Sequence, residues 1–123
     1  MISIMFWLLA CVSNSIMDVL STRYDVSIFR NFSNQSFYDW RISWRNKWKD
    51  GDKSKGEKFL FASSIFVFLT DAWHLYKALM LLFLILSIYF YVPIFGILDI
   101  PLFFISWGIT FELLYNIYFI KNE

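Results

Sequence analysis

Three apolar stretches occupy about half of the 123-residue chain: Ile2–Leu20, a second ending near Val92, and a third from about Pro101 to Ile120. Each has roughly the 20 residues that a helix needs to cross a hydrocarbon core of about 30 Å. A soluble chain of this length could not bury so much aliphatic and aromatic surface in one core. Composition agrees, at 59% hydrophobic, 23% aromatic and 17% charged. Soluble domains are nearer a quarter charged and half apolar. The expectation is an all-α integral membrane protein, a single membrane domain over residues 1–123, with three transmembrane helices at about 2–20, 71–92 and 101–120.

Pro93 and Pro101, with Gly96 and Asp99 between them, mark a turn between the second and third spans. Counting back about 21 residues from Val92 places the far end of the second span near Asp71. No helix breaker separates Phe59 from Val92, so one long helix, partly projecting from the membrane, is expected there. A kink at Asp71 or a short re-entrant helix is the alternative. In the first span Ala10, Ser13/Asn14, Met17/Asp18 and Ser21 recur at helical spacing. Small and polar residues on one face of a membrane helix mark the face that meets other helices. Leu8-Leu9-Ala10-Cys11 resembles a lipoprotein processing box, but no Lys or Arg precedes it, and the segment is read as a retained span.

The connection from Ser21 to Lys58 holds nine of the eleven Lys and Arg residues. Within it Trp40, Trp44 and Trp48 fall at i, i+4, i+8, and Arg41, Arg45 and Lys49 follow one residue behind. Ser36 with Asp39 reads as a capping box, and Gly51 as a stop. This spacing predicts an amphipathic helix over about 36–50, with Trp40, Arg41, Trp44, Arg45, Trp48 and Lys49 at the membrane interface. Anionic lipid headgroups are its expected contact. With a formal net charge of +1, no global basic field argues for nucleic acid.

Three spans put the 21–58 connection and the C-terminus on one side. The first residues and the Pro93–Pro101 turn carry no Lys or Arg. The positive-inside rule then makes the connection and C-terminus cytoplasmic and the N-terminus external, in an inner or plasma membrane.

Each span is interrupted by a polar pair: Asn14/Asp18, Asp71/His74 and Glu112/Asn116. Each pair shares one helix face, and all three fall toward the cytoplasmic leaflet. Ionisable groups in a span are costly and normally face the bundle interior. A converging cluster of Asn14, Asp18, Asp71, His74, Lys77, Glu112 and Asn116 is therefore expected, with a Lys77–Glu112 ion pair neutralising the deepest charge. Its first reading is a hydrogen-bonded network that fixes helix packing. The protein would then act through helix packing, as a homo-oligomer or a subunit of a larger membrane complex.

Two alternatives follow from the same residues. Asp18, Asp71, His74 and Glu112 are the residue types that could ligate a divalent metal, although one histidine is few for zinc. That would suit a metal-dependent or acid–base membrane enzyme or binder acting on a lipid-like substrate. Asp, Glu and His chains also relay protons or ions in membranes. Conduction would need an oligomer, because Leu79–Ile88 and Leu102–Ile105 offer almost no polar groups. No cofactor is fixed by any motif, and no family resemblance accompanies these residues.

Overall fold

The computed structural model describes residues 1–121. Helix α1 runs Ile2–Thr22. Short helices α2 (Gln35–Tyr38) and α3 (Trp40–Ser43) lie in the connection. Helices α4 (Ala72–Tyr89) and α5 (Asp99–Leu113) complete the set, and α5 continues as a π-helical turn over Leu114–Tyr118. The described residues form an all-helical fold, and among them three helices are long and apolar enough to span a membrane: Ile2–Thr22, Ala72–Tyr89 and Gly96–Tyr118.

Helix α1 packs against both α4 and α5. Ser3 meets Ser87 near one end of α1, while Ile16, Val19 and Leu20 share a core with Ala72 near the other, so α1 and α4 are antiparallel. Trp7 contacts Phe103 and Cys11 contacts Trp107, so α1 and α5 are parallel. The expected inward stripe of α1 appears in Ala10, Ser13 and Met17, all buried, while Ser21 is exposed. The buried serines do not leave hydroxyls stranded: Ser13 and Ser15 donate to the carbonyls of Leu9 and Cys11 at 3.1 and 2.8 Å.

The best-packed region lies where the connection folds back on the bundle. Ile16, Val19, Leu20, Tyr24, Phe29 and Ala72 form its centre. Complete burial of a side chain the size of Val19 or Leu20 contributes about 1.5–3 kcal/mol relative to water. The start of the connection is tied to the C-terminal segment by backbone bonds, Ile28 N–H to the Phe119 carbonyl at 3.0 Å and Lys121 N–H to the Val26 carbonyl at 2.8 Å. The connection and residue 121 therefore occupy the same end of the bundle.

Two expected helices are corrected. The amphipathic helix over 36–50 is broken at Asp39, whose backbone is extended (φ −79°, ψ 108°) and whose carboxylate accepts from the Arg41 N–H at 3.0 Å. Asp39 is itself an N-cap, not the third residue of a capping box begun by Ser36. After α3 come a 3₁₀ turn at Trp44–Lys47 and an extended Trp48, which bridges to Glu57. An isolated helix of about 12–15 residues or fewer is marginal without tertiary support, so a strong internal cap divides this one readily. Likewise, Phe59–Leu69 is not the projecting part of one long helix. It forms a series of turns ending in a 3₁₀ turn at Val67–Leu69, and the helix starts afresh at Ala72. The cause is again a capping aspartate: the Asp71 carboxylate accepts the His74 N–H at 2.7 Å.

The turn between α4 and α5 is built on Asp99, which is only 2% exposed. Its carboxylate accepts from the Tyr91 hydroxyl at 2.7 Å and from the Ile94 and Phe95 N–H groups at 2.9 and 3.0 Å. Gly96 supplies the left-handed backbone that the turn requires (φ 64°).

Candidate functional site

The Asp71–His74 pair is the expected polar pair that forms as a tight unit. One turn of α4 brings the residues together, and His74 Nδ1 lies 2.9 and 2.8 Å from the two Asp71 carboxylate oxygens. Asp71 is buried and the His74 side chain is 29% exposed. The Trp73 ring stands edge-on to the imidazole at 5.0 Å. Asn46 braces the site from the connection, donating to the Thr70 and Ser36 carbonyls, each at 2.8 Å. One carboxylate thus caps the helix and orients an imidazole. Nδ1 of the imidazole is thereby held, and no nucleophile is hydrogen-bonded to the ring among the described residues.

The other members of the expected cluster are arranged differently. Asn14 and Asp18 are half-buried on α1. Glu112, Asn116 and Lys77 are exposed. The expected Lys77–Glu112 ion pair is absent among the described residues, where the pairs are Arg41–Asp25, Arg41–Asp39, Lys55–Asp50 and His74–Asp71. Lys77 instead places its ammonium 5.5 Å from the centroid of the Trp73 ring. Asn116 accepts from the Arg23 guanidinium at 2.9 Å, and that guanidinium also lies 5.1 Å from the Tyr115 ring centroid. Among the described residues no three His, Cys, Asp or Glu side chains are grouped to hold a metal ion. The expected ligand set of Asp18, Asp71, His74 and Glu112 is therefore not brought together. The three pairs lie at similar levels along the bundle, but Glu112 and Asn116 are exposed while Asp71 is buried.

The residues expected at the membrane interface differ in exposure and in partners. Trp40 and Trp44 are exposed by 53% and 45%, with Ile42 exposed between them. Trp48 is half-buried beneath the Lys53 ammonium, 5.7 Å from its ring centroid. Arg41 is engaged by two carboxylates, Asp39 at 2.9 Å and Asp25 at 3.2 Å. That guanidinium, bonded to Asp39, holds the Asp39 carboxyl below the usual range. Arg45 stacks on Trp44 at 5.4 Å. Arg45 and Lys49 are thus the exposed cations of the set that make no ion pair among the described residues.

Cavities flank the bundle among the described residues. One, of about 350 Å³, lies at the connection end and is lined by Thr22, Arg23, Tyr24, Asp25, Trp40 and Arg41. Another, of about 580 Å³, opens between α4 and α5 and is lined by Ser3, Trp7, Ser87, Tyr91, Asp99 and Phe103 among others. Its polar groups are spent on one another. Ser3 bonds Ser87, Tyr91 bonds Asp99, and the Trp7 indole donates to the Phe103 carbonyl at 2.8 Å.

Sequence reasoning missed these contacts. Ser3 and Ser87 stand in the sequence as isolated hydroxyls near the ends of two apolar runs, and no spacing pairs them. Asp99 was visible as the one acid beside the Pro–Gly turn, but its three donors include two backbone groups that no pattern reveals. No family model fits this chain, and neither a curated protein nor a solved structure matches it.

Proposed function

We propose that this is a small integral membrane protein that works mainly by helix packing, assembling with other membrane helices. The supporting observation is the asymmetry of its spans. In α1, 44% of the span is buried within the chain, against 11% for α4 and 6% for the third span. A central helix is covered by its own chain, and the residues of the two flanking helices are mostly half-buried or exposed. Leu81, Ile85, Ile88, Phe104, Ile105 and Ile109 are exposed on those faces. In water such surfaces would aggregate; in a bilayer they meet lipid or other helices.

In this reading the N-terminus and the α4–α5 turn face outward, and the basic connection and C-terminus face the cytoplasm. The backbone ties between residues 26–28 and 119–121 support a shared side. The exposed Trp40, Trp44, Arg45 and Lys49 then lie at the headgroup level, where anionic lipid would be their partner.

Photo-crosslinking in native membranes tests the reading, with a photoreactive residue placed at Ile85 or Ile105 in the full chain. Protein-sized adducts at these positions, from a fraction that resists alkaline carbonate, are expected. Adducts to lipid alone at both positions, or release by carbonate, would sink it.

A further inference from the structure

Lys77 and Glu112 are the charged side chains left on the outer surface of the spans. Asp18 is half-buried, and Asp99 is buried in its turn. A charged residue in the middle of a span costs about 2.5–3.5 kcal/mol on insertion scales. Lys77 lies about 7.5 Å from the start of α4 and Glu112 about 9 Å from the end of the third span. Lysine can extend toward the headgroups, whereas the shorter glutamate reaches less far.

The two charges are nearly level. Ser3 pairs with Ser87, and Cys11 with Trp107. Counting along the antiparallel α4 and parallel α5 from these contacts sets Lys77 beside Ile109, about 4.5 Å along the axis from Glu112. Each charge belongs to an outward stripe at helical spacing. On α4 the stripe is Lys77, Leu81, Ile85 and Ile88; on α5 it is Ile105, Ile109, Glu112 and Asn116. Gly108, one turn from Glu112, has open space where a side chain would be, so another helix can approach closely there.

We infer that a second copy of this chain covers these stripes, with α4 of one copy against α5 of the next and Lys77 of the first paired to Glu112 of the second. The inference rests on the assembly reading and names its partner. Copies in the same membrane orientation place these two helices antiparallel, with opposite charges level and apolar residues facing on the side toward the α4–α5 turn. The contact joins two different surfaces, so it is heterologous and repeats around a ring or along a chain.

The test is energy transfer between labelled copies of the full chain, reconstituted in phosphatidylcholine vesicles at fixed protein-to-lipid ratio. Wild type is expected to associate. Lys77→Glu alone and Glu112→Lys alone are each expected to weaken self-association at least tenfold. Mixing the two variants should restore transfer between them, because each supplies the charge the other needs. Glu112→Gln, checked for helicity by circular dichroism, serves if a reversal fails to insert, and should also weaken association. Undiminished association of the variants overturns the charge pair, as does failure of the mixture to recover with both variants inserted. Wild type that remains monomeric in vesicles, yet forms protein adducts in native membranes, overturns self-association while leaving the assembly reading standing.

Discussion

Ser3 and Ser87 clasp each other twice. The Ser3 hydroxyl donates to the Ser87 carbonyl at 2.7 Å, and the Ser87 hydroxyl donates to the Ser3 carbonyl at 2.9 Å. The contact joins the first turn of α1 to the last of α4, 84 residues apart in the chain. Small side chains allow this approach, and the mutual bonds leave neither hydroxyl unsatisfied. Ser87→Ala is expected to cost about 0.6 kcal/mol, the average for hydrogen bonds between membrane helices, and no more than about 1.7 kcal/mol. Ser3→Ala with Ser87→Ala should cost less than the sum of the singles, since either one removes the contact between the two hydroxyls at 3.2 Å. Ser87→Leu should cost more than Ser87→Ala, because its bulk forces the helices apart. Unfolding in detergent of increasing sodium dodecyl sulfate content measures all four; full additivity would show that the serines do not act together.

Asp71 carries two roles that substitution can separate. Its carboxylate caps α4 at the His74 N–H and holds the imidazole. Asparagine caps helices about as well as aspartate, while alanine costs about 0.5–2 kcal/mol at such positions. Asp71→Asn is therefore expected to keep the first turn of α4 protected from amide exchange, and Asp71→Ala to expose it. Both should change the ring-nitrogen NMR signals of His74. Equal protection in the two variants would show that tertiary contacts, not the cap, set the start of the helix.

How far the chain is legible in its sequence follows from these residues. Small and polar positions in a greasy run have one place to go, so the inward face of α1 at Ala10, Ser13 and Met17 could be read directly. The relative level of the pairs along the bundle was also legible, since it depends only on counting from the ends of the helices. Direction around the helix was not. The contacts of Phe103 and Trp107 with α1 set how α5 is rotated, and Glu112 then lies about 140° around from Trp107. That turns it outward, away from Asp71 and His74. In the connection, the regular spacing of Trp40, Trp44 and Trp48 concealed a stronger local signal. An aspartate two residues before a hydrogen-bonding arginine can end one helix and begin another, as Asp39 does with Arg41.

Asp99 is the anchor of the α4–α5 turn, and the prediction there is graded. Tyr91→Phe removes one hydrogen bond to a carboxylate and should cost about 1.5–3 kcal/mol. Asp99→Ala also strands the Ile94 and Phe95 N–H groups and should cost more, unless the turn opens to let water reach them. Proteolysis at 90–98 in detergent reads the difference. The expected order of cleavage is wild type, then Tyr91→Phe, then Asp99→Ala, and equal resistance of all three would remove Asp99 from its anchoring role.

The connection should respond to acid through Asp39. Its carboxyl is held below the usual range by the Arg41 guanidinium and the Arg41 N–H, against a smaller opposing effect of burial. A carboxyl lowered by folding stabilises the folded state above its unfolded value of about 3.9, and that contribution fades as pH falls through the lower folded value. Arg41 is half-exposed, so solvent screening limits the contribution to under about 1 kcal/mol. Asp39→Asn keeps a capping side chain but removes the charge. It is expected to lower stability modestly at pH 7 and to flatten the loss of stability below about pH 4. Some slope should remain from Glu57, whose carboxyl is lowered by the Ser63 hydroxyl and N–H. Thermal unfolding in detergent, followed by tryptophan fluorescence from pH 3 to 7, gives both quantities. An acid limb unchanged in Asp39→Asn would mean that the Asp39–Arg41 pair does not stabilise the connection.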